Sequence, residues 1–358
     1  MVNPALLSVS VVFYLGTSAA LYVVGWLCLT LLSRLFARFS SSVMKSILFA
    51  ALILPPLVAL LSTAEGDLFR HSHLPNQQQH SEMCGDVFQF LMTTPGQLPS
   101  AAGIAVLGAT WALLVWGGVK VVKLLRGTSR LAHEIAPHLE APSPKLEVAL
   151  GRLSGQNKIS RTRFFEAAIP MTYSCLLGFR HVRCILSKEL VASATEQELV
   201  AIVIHEVNHI RLGDVWLTWL VESVNHLFFF LRPAQLLAQR WREATKLTCD
   251  AMTVAVTQQP LALASAILHA QGVSASEGPL PTTTLCFADE AACATEKRVD
   301  RLLSLAQNVS IPAAPLTGGW WRWTVTLALA AFGVLTLLSP QAMCAAHCSL
   351  EAIAHTIK

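Results

Sequence analysis

Residues 193–214 read SATEQELVAIVIHEVNHIRLGD, and this stretch decides how the rest of the chain is read. His205 and His209 stand four residues apart. On a helix they share a face with Cβ atoms about 6 Å apart, so both imidazoles can reach one metal ion. Glu206 then projects beside the position such an ion leaves open. A carboxylate there can take a proton from an attacking water and pass it to a leaving amine. The pattern points to Zn2+ as cofactor, with His205 and His209 as ligands and Glu206 as general base. The helix is signalled independently, because Ser193 with Glu196 and Thr195 with Glu198 offer overlapping capping boxes. Leu199, Ile202, Val203 and Ile210 supply an apolar face after the cap.

A site of this kind takes a third protein ligand, usually a carboxylate on a later helix. Residues 239–250, QRWREATKLTCD, form a helix with Glu243, Lys246 and Asp250 on one face. Between the two helices, Val215 to Leu231 is strongly apolar yet contains Glu222, Asn225 and His226. It reads either as a segment partly immersed in a membrane or as a buried hairpin partner of the motif helix. At under 20 residues it does not count as a span.

Composition places this motif in a membrane protein. Of 358 residues, 53% are hydrophobic and only 13% are Asp, Glu, Lys or Arg, about half the roughly 25% usual for soluble domains. That excludes a disordered chain, and a net charge of +4 gives no support to nucleic-acid binding. The apolar residues collect into runs, with transmembrane helices expected at about 5–32, 43–63 and 101–123, and a fourth at 320–339. Residues 1–33 carry no charge, so the first run lacks the basic region of a signal peptide. Tandem Pro55-Pro56 kinks the second run, which a membrane helix tolerates if neighbours satisfy the freed carbonyls. Arg34, Arg38 and Lys45 follow the first run, and Lys120, Lys123, Arg126 and Arg130 follow the third. Basic flanks belong in the cytoplasm. The N-terminus and the acidic, His/Gln-rich 64–100 loop are therefore expected outside a bacterial inner membrane.

The expected division is a membrane domain at 1–124, a cytoplasmic domain at 125–317, and the fourth span with a short external tail at 318–358. Pro142 and Pro144 separate a juxtamembrane helix near 127–139 from the core of the cytoplasmic domain. The expected fold class is a mainly α-helical membrane protein carrying an inserted α+β zincin-like (gluzincin) domain. The nine cysteines make no CxxC pair. Cys84, Cys344 and Cys348 share the external face, where a disulfide or free thiols both fit. Cys175, Cys184 and Cys249 lack metal spacing and read as buried packing residues.

Several segments in order resemble the membrane zinc metallopeptidases of the BlaR/MecR antirepressor type, and more distantly the HtpX type. Leu176-Leu177-Gly178 followed by Val182 to Ser187 resembles the family's GLLRPRILLS hairpin. Thr195 to Leu199 resembles SPEEL, and His205 to Asp214 resembles HELAHxxxxD. Phe228 to Ala234 resembles FFNPA, Cys249-Asp250 resembles the end of ACD, and Glu296 to Leu303 resembles the RIxxLL helix. The resemblance covers about residues 145–305 and implies zinc at His205 and His209 with Glu206 as base. It places the third ligand four residues before Asp250, where this chain has Lys246. A protonated lysine cannot ligate zinc. Glu243, one turn earlier, is the nearest replacement; Asp250, a two-histidine site or a metal-free site are the alternatives. The resemblance implies that Asp250 supports the site, and Asp214 is expected either to orient a ligand histidine or to cap the next helix. Strand 171–177, with Thr172, Tyr173 and Ser174, reads as a substrate-binding edge strand or an ordinary core hairpin closed by Gly178.

The family's penicillin-binding sensor is not matched, because about twenty residues follow the fourth run and contain no S-x-x-K. The expected function is membrane-anchored proteolysis of a cytoplasmic or membrane-proximal protein, with a transcriptional repressor among the candidate substrates. The alternative is a pseudoprotease that scaffolds or signals, which Lys246 motivates. A transporter gains little from spans with almost no internal charge.

Overall fold

The computed structural model describes residues 4–31, 40–69, 101–153, 163–168, 174–178, 181–274, 285–286 and 292–307. The expected fourth span, most of the 64–100 loop, Thr172, Tyr173, Cys84, Cys344 and Cys348 lie outside these residues.

Three long helices come first: α1 (Pro4–Leu31), α2 (Ser41–Phe69) and α3 (Ala101–Ile135). Each holds a window apolar enough to cross a membrane, at Tyr14–Leu31, Ser41–Leu60 and Ile104–His138. The first three expected spans fall on these helices. The juxtamembrane helix expected at 127–139 is the continuation of α3, which runs unbroken to Ile135.

Helix α2 continues without a break past Pro55 and Pro56. Pro56 has no N–H for the carbonyl four residues back, which belongs to Leu52. The α1 hydroxyl Tyr22 Oη donates to Leu52 O at 2.7 Å, and Tyr22 is fully buried. The neighbouring helix thus supplies the donor that proline removed, as a non-aqueous environment requires.

After α3 come a short 3₁₀ turn (Ala136–His138), β1 (Leu139–Glu140) and α4 (Pro144–Leu153). Pro144 sits at the first helical position, where its missing N–H costs nothing. Strands β2 (Phe164–Ala167), β3 (Ser174–Leu177) and β4 (Arg183–Ser187) follow, with β5 (Leu285–Cys286) much later. The strand order is β1-β2-β4-β3-β5. β2 and β4 are parallel, and β3 is antiparallel to both β4 and β5. Gly178 closes the β3–β4 turn at φ +107°, a conformation L side chains rarely adopt.

Six helices complete the described chain: α5 (Lys188–Ser193), α6 (Glu196–Leu212), α7 (Asp214–Leu227), α8 (Arg232–Thr257), α9 (Pro260–Ser274) and α10 (Ala292–Gln307). Helix α6 starts with a complete capping box: Glu198 N donates to Thr195 Oγ1 at 3.3 Å and Thr195 N donates to Glu198 Oε2 at 2.7 Å. Of the two overlapping boxes, the Thr195 one forms, while Ser193 Oγ turns back to Glu189 O at 2.7 Å. Ala201, Ile204 and Val207 are buried along with Leu199, Ile202 and Val203, so α6 lies inside the core on all sides. It packs against α4, α8, α9 and β3.

A second core joins this domain to the long helices. Val221 and Phe228 from α7 and its following turn, with Ala234, Leu237 and Trp241 of α8, pack with Leu15 and Tyr22 of α1 and Leu48 and Leu52 of α2. Gly117 of α3 permits close approach, because a Cβ there would meet Leu227 O at 2.7 Å. The fully buried Glu222 ties α7 to α8 through Arg242, and accepts from Asn225 Nδ2 at 3.2 Å. The apolar 215–231 segment is therefore a hairpin arm packed against the three candidate spans.

Tyr22→Phe leaves Leu52 O without its donor and is expected to lower stability by about 1–3 kcal/mol. In a Pro56→Ala background, which restores the backbone N–H, the same change is expected to cost markedly less. Thermal unfolding of the four proteins in detergent checks both values.

Candidate metal centre

Helix α6 carries His205, Glu206 and His209 to one buried spot, all at 3% exposure or less. The two Nε2 atoms face each other at 3.1 Å. Each opposite ring nitrogen lies close to a carboxylate. His205 Nδ1 lies 3.0 Å from Asp250 Oδ1 on α8, and His209 Nδ1 lies 2.8 Å from Asp214 Oδ2 at the start of α7. Carboxylates that take the outer nitrogen fix the tautomer and turn the inner lone pair toward an ion. The geometry comes from local rules. Gly213 ends α6 in the left-handed conformation, φ +69°, and its amide donates to His209 O and Ile210 O. The chain reverses there, so Asp214 begins α7 beside the histidine five residues back.

Each supporting carboxylate has its own cation. Arg298 of α10 donates to Asp250 through Nε at 2.8 Å and Nη2 at 2.9 Å. Lys45 of α2 contacts Asp214 Oδ1. All four groups are at 3% exposure or less. Burial alone would raise both aspartates; the paired cations and the histidine bonds outweigh it and hold them below the usual range. Burial lowers His205 to about 3 despite Asp250, so the ring is neutral and able to donate a lone pair at pH 7.

Glu206 is raised, first by burial, and partly restrained by the charges of His209 and Lys246 and by a hydrogen bond from Ser174. Ser174 Oγ donates to Glu206 Oε1 at 2.6 Å. Glu206 Oε2 is buried with no hydrogen-bond partner among the described residues. A buried carboxylate whose proton affinity is raised and which has one oxygen held is suited to proton transfer.

Other residues expected at the site are placed differently. Glu243 is half-buried on α8 and accepts from Gln239 Nε2 at 3.2 Å on its own helix. It lies seven residues from Asp250, two turns or about 10 Å along the axis. Lys246 is 7% exposed, and its charge acts on Glu206. Of the three strand residues expected to bind substrate, Ser174 is described, and its hydroxyl goes to Glu206. The reading of β3 as an edge strand is corrected: β5 pairs with it at Cys175 and Leu176, so that side is closed there. The covering strand is two residues long and lies over a hundred positions away, so periodicity gave no sign of it.

Cys249 did more than pack. Its Sγ lies 3.3 Å from His209 Nδ1 and 3.6 Å from Asp214 Oδ2, making a compact His209–Asp214–Cys249 triangle that could itself hold a metal. Burial, then the Asp214 charge, push the thiol well above its ordinary range, so it stays protonated at neutral pH. With Lys45 already on Asp214, the triangle reads best as a hydrogen-bonded support for the His209 ring. Sequence reasoning also missed Arg298 and Lys45, because neither has a local signature relating it to the motif.

The donor set fits a metal such as zinc at two positions: two imidazoles with converging nitrogens, a carboxylate one residue along the same helix, and outer nitrogens that each face a carboxylate. The position the resemblance gives to a third ligand carries a cation instead.

Arg298→Met strips the bidentate partner from buried Asp250 and is expected to destabilise the domain by about 3–5 kcal/mol. A denaturant titration of the purified variant beside the original protein checks this.

The chloroplastic plastoglobule-localized metallopeptidase 48 of Arabidopsis thaliana is 26% identical over 117 residues, covering 30% of this chain. The match takes in 33% of that relative's length. The sequence model for BlaR1 peptidase M56 matches residues 13–300, which include the candidate spans, the sheet and every residue of the histidine site. This chain belongs to the BlaR1 peptidase M56 family.

Proposed function

We propose that the protein is a membrane-anchored zinc endopeptidase that cleaves peptide bonds of a cytoplasmic or membrane-proximal protein in regulated proteolysis. The observation that carries this reading is the meeting of His205 and His209 Nε2 at 3.1 Å with Glu206 beside them and a carboxylate behind each ring. His205 and His209 would hold the ion. Bound there, zinc supplies a Lewis acid that polarises a carbonyl and acidifies water.

The chain's own groups do the rest. Glu206, raised by burial, takes the proton of the attacking water and returns it to the departing amine. Ser174 holds one Glu206 oxygen so that the other faces the reacting atoms. Asp250 and Asp214 keep the imidazoles in one tautomer. The buried setting excludes bulk water and strengthens each of these interactions. With β5 on the outer side of β3, a substrate strand would have to displace β5 or enter elsewhere.

The remaining assignments follow the flanking charges: a bacterial inner membrane, the N-terminus outside, and a zincin-like domain in the cytoplasm, with a fourth span closing the membrane domain. Trp216 and Leu220 are half exposed on one face of α7, which suits lipid contact along the arm. A transcriptional repressor is a fitting substrate class for such a protein.

One observation favours a second reading, a pseudoprotease that binds a partner without cutting it. The buried charges at the site are Glu206, Asp214 and Asp250 against Lys45, Lys246 and Arg298. They balance with no ion present, and a divalent cation leaves an excess of positive charge.

The two readings separate on purified protein. The peptidase reading expects about one zinc per chain, lost in His209→Ala and kept in Glu206→Gln. It expects Glu206→Gln to reduce cleavage about 10²–10⁴-fold, and Lys246→Glu to tighten zinc binding. Absence of zinc from the original protein, with binding gained in Lys246→Glu, supports the pseudoprotease. Equal cleavage by the original protein and Glu206→Gln would exclude Glu206 as the base.

A further inference from the structure

Lys45 lies 169 residues before Asp214 and on a different kind of element, four residues into the membrane-span candidate Ser41–Leu60. A lysine at the start of a span ordinarily extends its ammonium into the water and headgroups. This one does the opposite. It is 3% exposed, contacts Asp214 Oδ1, and its charge also acts on the Cys249 thiol. The other Asp214 oxygen holds His209 Nδ1 at 2.8 Å. A continuous line of contacts therefore runs from a membrane helix, through one carboxylate, to one of the two imidazoles. The carboxylate beside His205 is braced instead by Arg298 of α10. Asp214 is fully buried, so without Lys45 it would hold an uncompensated charge and could not keep the same place as an anion.

We infer that Lys45 is a positioning residue of the metal centre, through which the seating of α2 in the membrane sets the orientation of His209. The inference rests on the metallopeptidase reading for the ion itself, but the contact of Lys45 with Asp214 and of Asp214 with the His209 ring does not need one. It gives the membrane helices a part in the site beyond anchoring. A displacement of α2 along its axis would withdraw the ammonium from Asp214 and release one imidazole while leaving the other fixed.

The test uses the full chain in lipid nanodiscs, as original protein, Lys45→Met, Lys45→Arg, Asp214→Asn and Lys45→Met/Asp214→Asn. Two properties are read: affinity for Co2+ with its visible spectrum, and, in metal-free protein, the 15N shifts that report the His209 tautomer, assigned with His209→Gln. We expect Lys45→Met to weaken Co2+ binding about 10–100-fold, the range for loss of a supporting partner. It should also alter the cobalt bands and mix the His209 tautomers. Lys45→Arg should recover most of the affinity. Lys45→Met should add nothing in the Asp214→Asn background, because the lysine acts through that carboxylate. If Lys45→Met does not fold, Lys45→Gln, which keeps a donor for Asp214 but not the charge, is read in its place, with the same losses expected and unchanged affinity, spectrum and tautomer again overturning the inference. Co2+ affinity, spectrum and tautomer all unchanged in Lys45→Met would overturn the inference, as would additive losses in the double variant. If the original protein binds no Co2+, the metal reading fails, and the tautomer alone supports or overturns the role of Lys45.

Discussion

Two buried carboxylates, each neutralised by its own cation, stand behind the two imidazoles of α6. Asp250 with Arg298 and Asp214 with Lys45 are the interactions on which the rest of the site depends. A lone carboxylate at this depth would take up a proton or move toward water, and the ring it holds would turn with it. Paired, both stay ionised and keep the inner nitrogens converging at 3.1 Å. The partners come from α10 and α2, so elements far apart in the chain meet at the histidine site.

This arrangement explains why the membrane helices and the motif domain share a core. The arm formed by α7 and the first half of α8 packs on α1 and α2, and passes close to Gly117 of α3. Its base carries Asp214 at one end, and Cys249 and Asp250 lie further along α8. Seating the arm among the long helices thus brings Lys45 and Asp214 together. The polar contacts within the apolar layer have the same character. Tyr22 repairs the gap at Pro56, and Glu222 is neutralised by Arg242.

Much of this was legible from sequence because its causes are local. The i, i+4 histidines, the Thr195–Glu198 cap, the Gly178 turn and the closeness of Asp214 to His209 follow from spacing over a few residues, while the supporting role of Asp250 came from the family resemblance. The need for a donor near Pro55-Pro56 was legible too, though not that Tyr22 would be the donor. What escaped depends on long-range pairing. β5 covers β3 from more than a hundred residues away, so the strand looked like an edge. Lys45 read as a topology signal beside an apolar run, and its charge is instead spent inside the site. Cys249 looked inert because its spacing matched no metal motif, yet α8 lays it against His209.

The central claim is that the ion is held by the inner nitrogens of His205 and His209, with Asp214, Asp250 and Cys249 behind the rings. Zinc-edge X-ray absorption of the purified, zinc-loaded protein tests it most directly. The account predicts imidazole scattering from two ligands with nitrogen or oxygen neighbours at about 2.0–2.2 Å and no sulfur in the shell. A sulfur neighbour at about 2.3 Å would place the ion in the His209–Asp214–Cys249 triangle and contradict it.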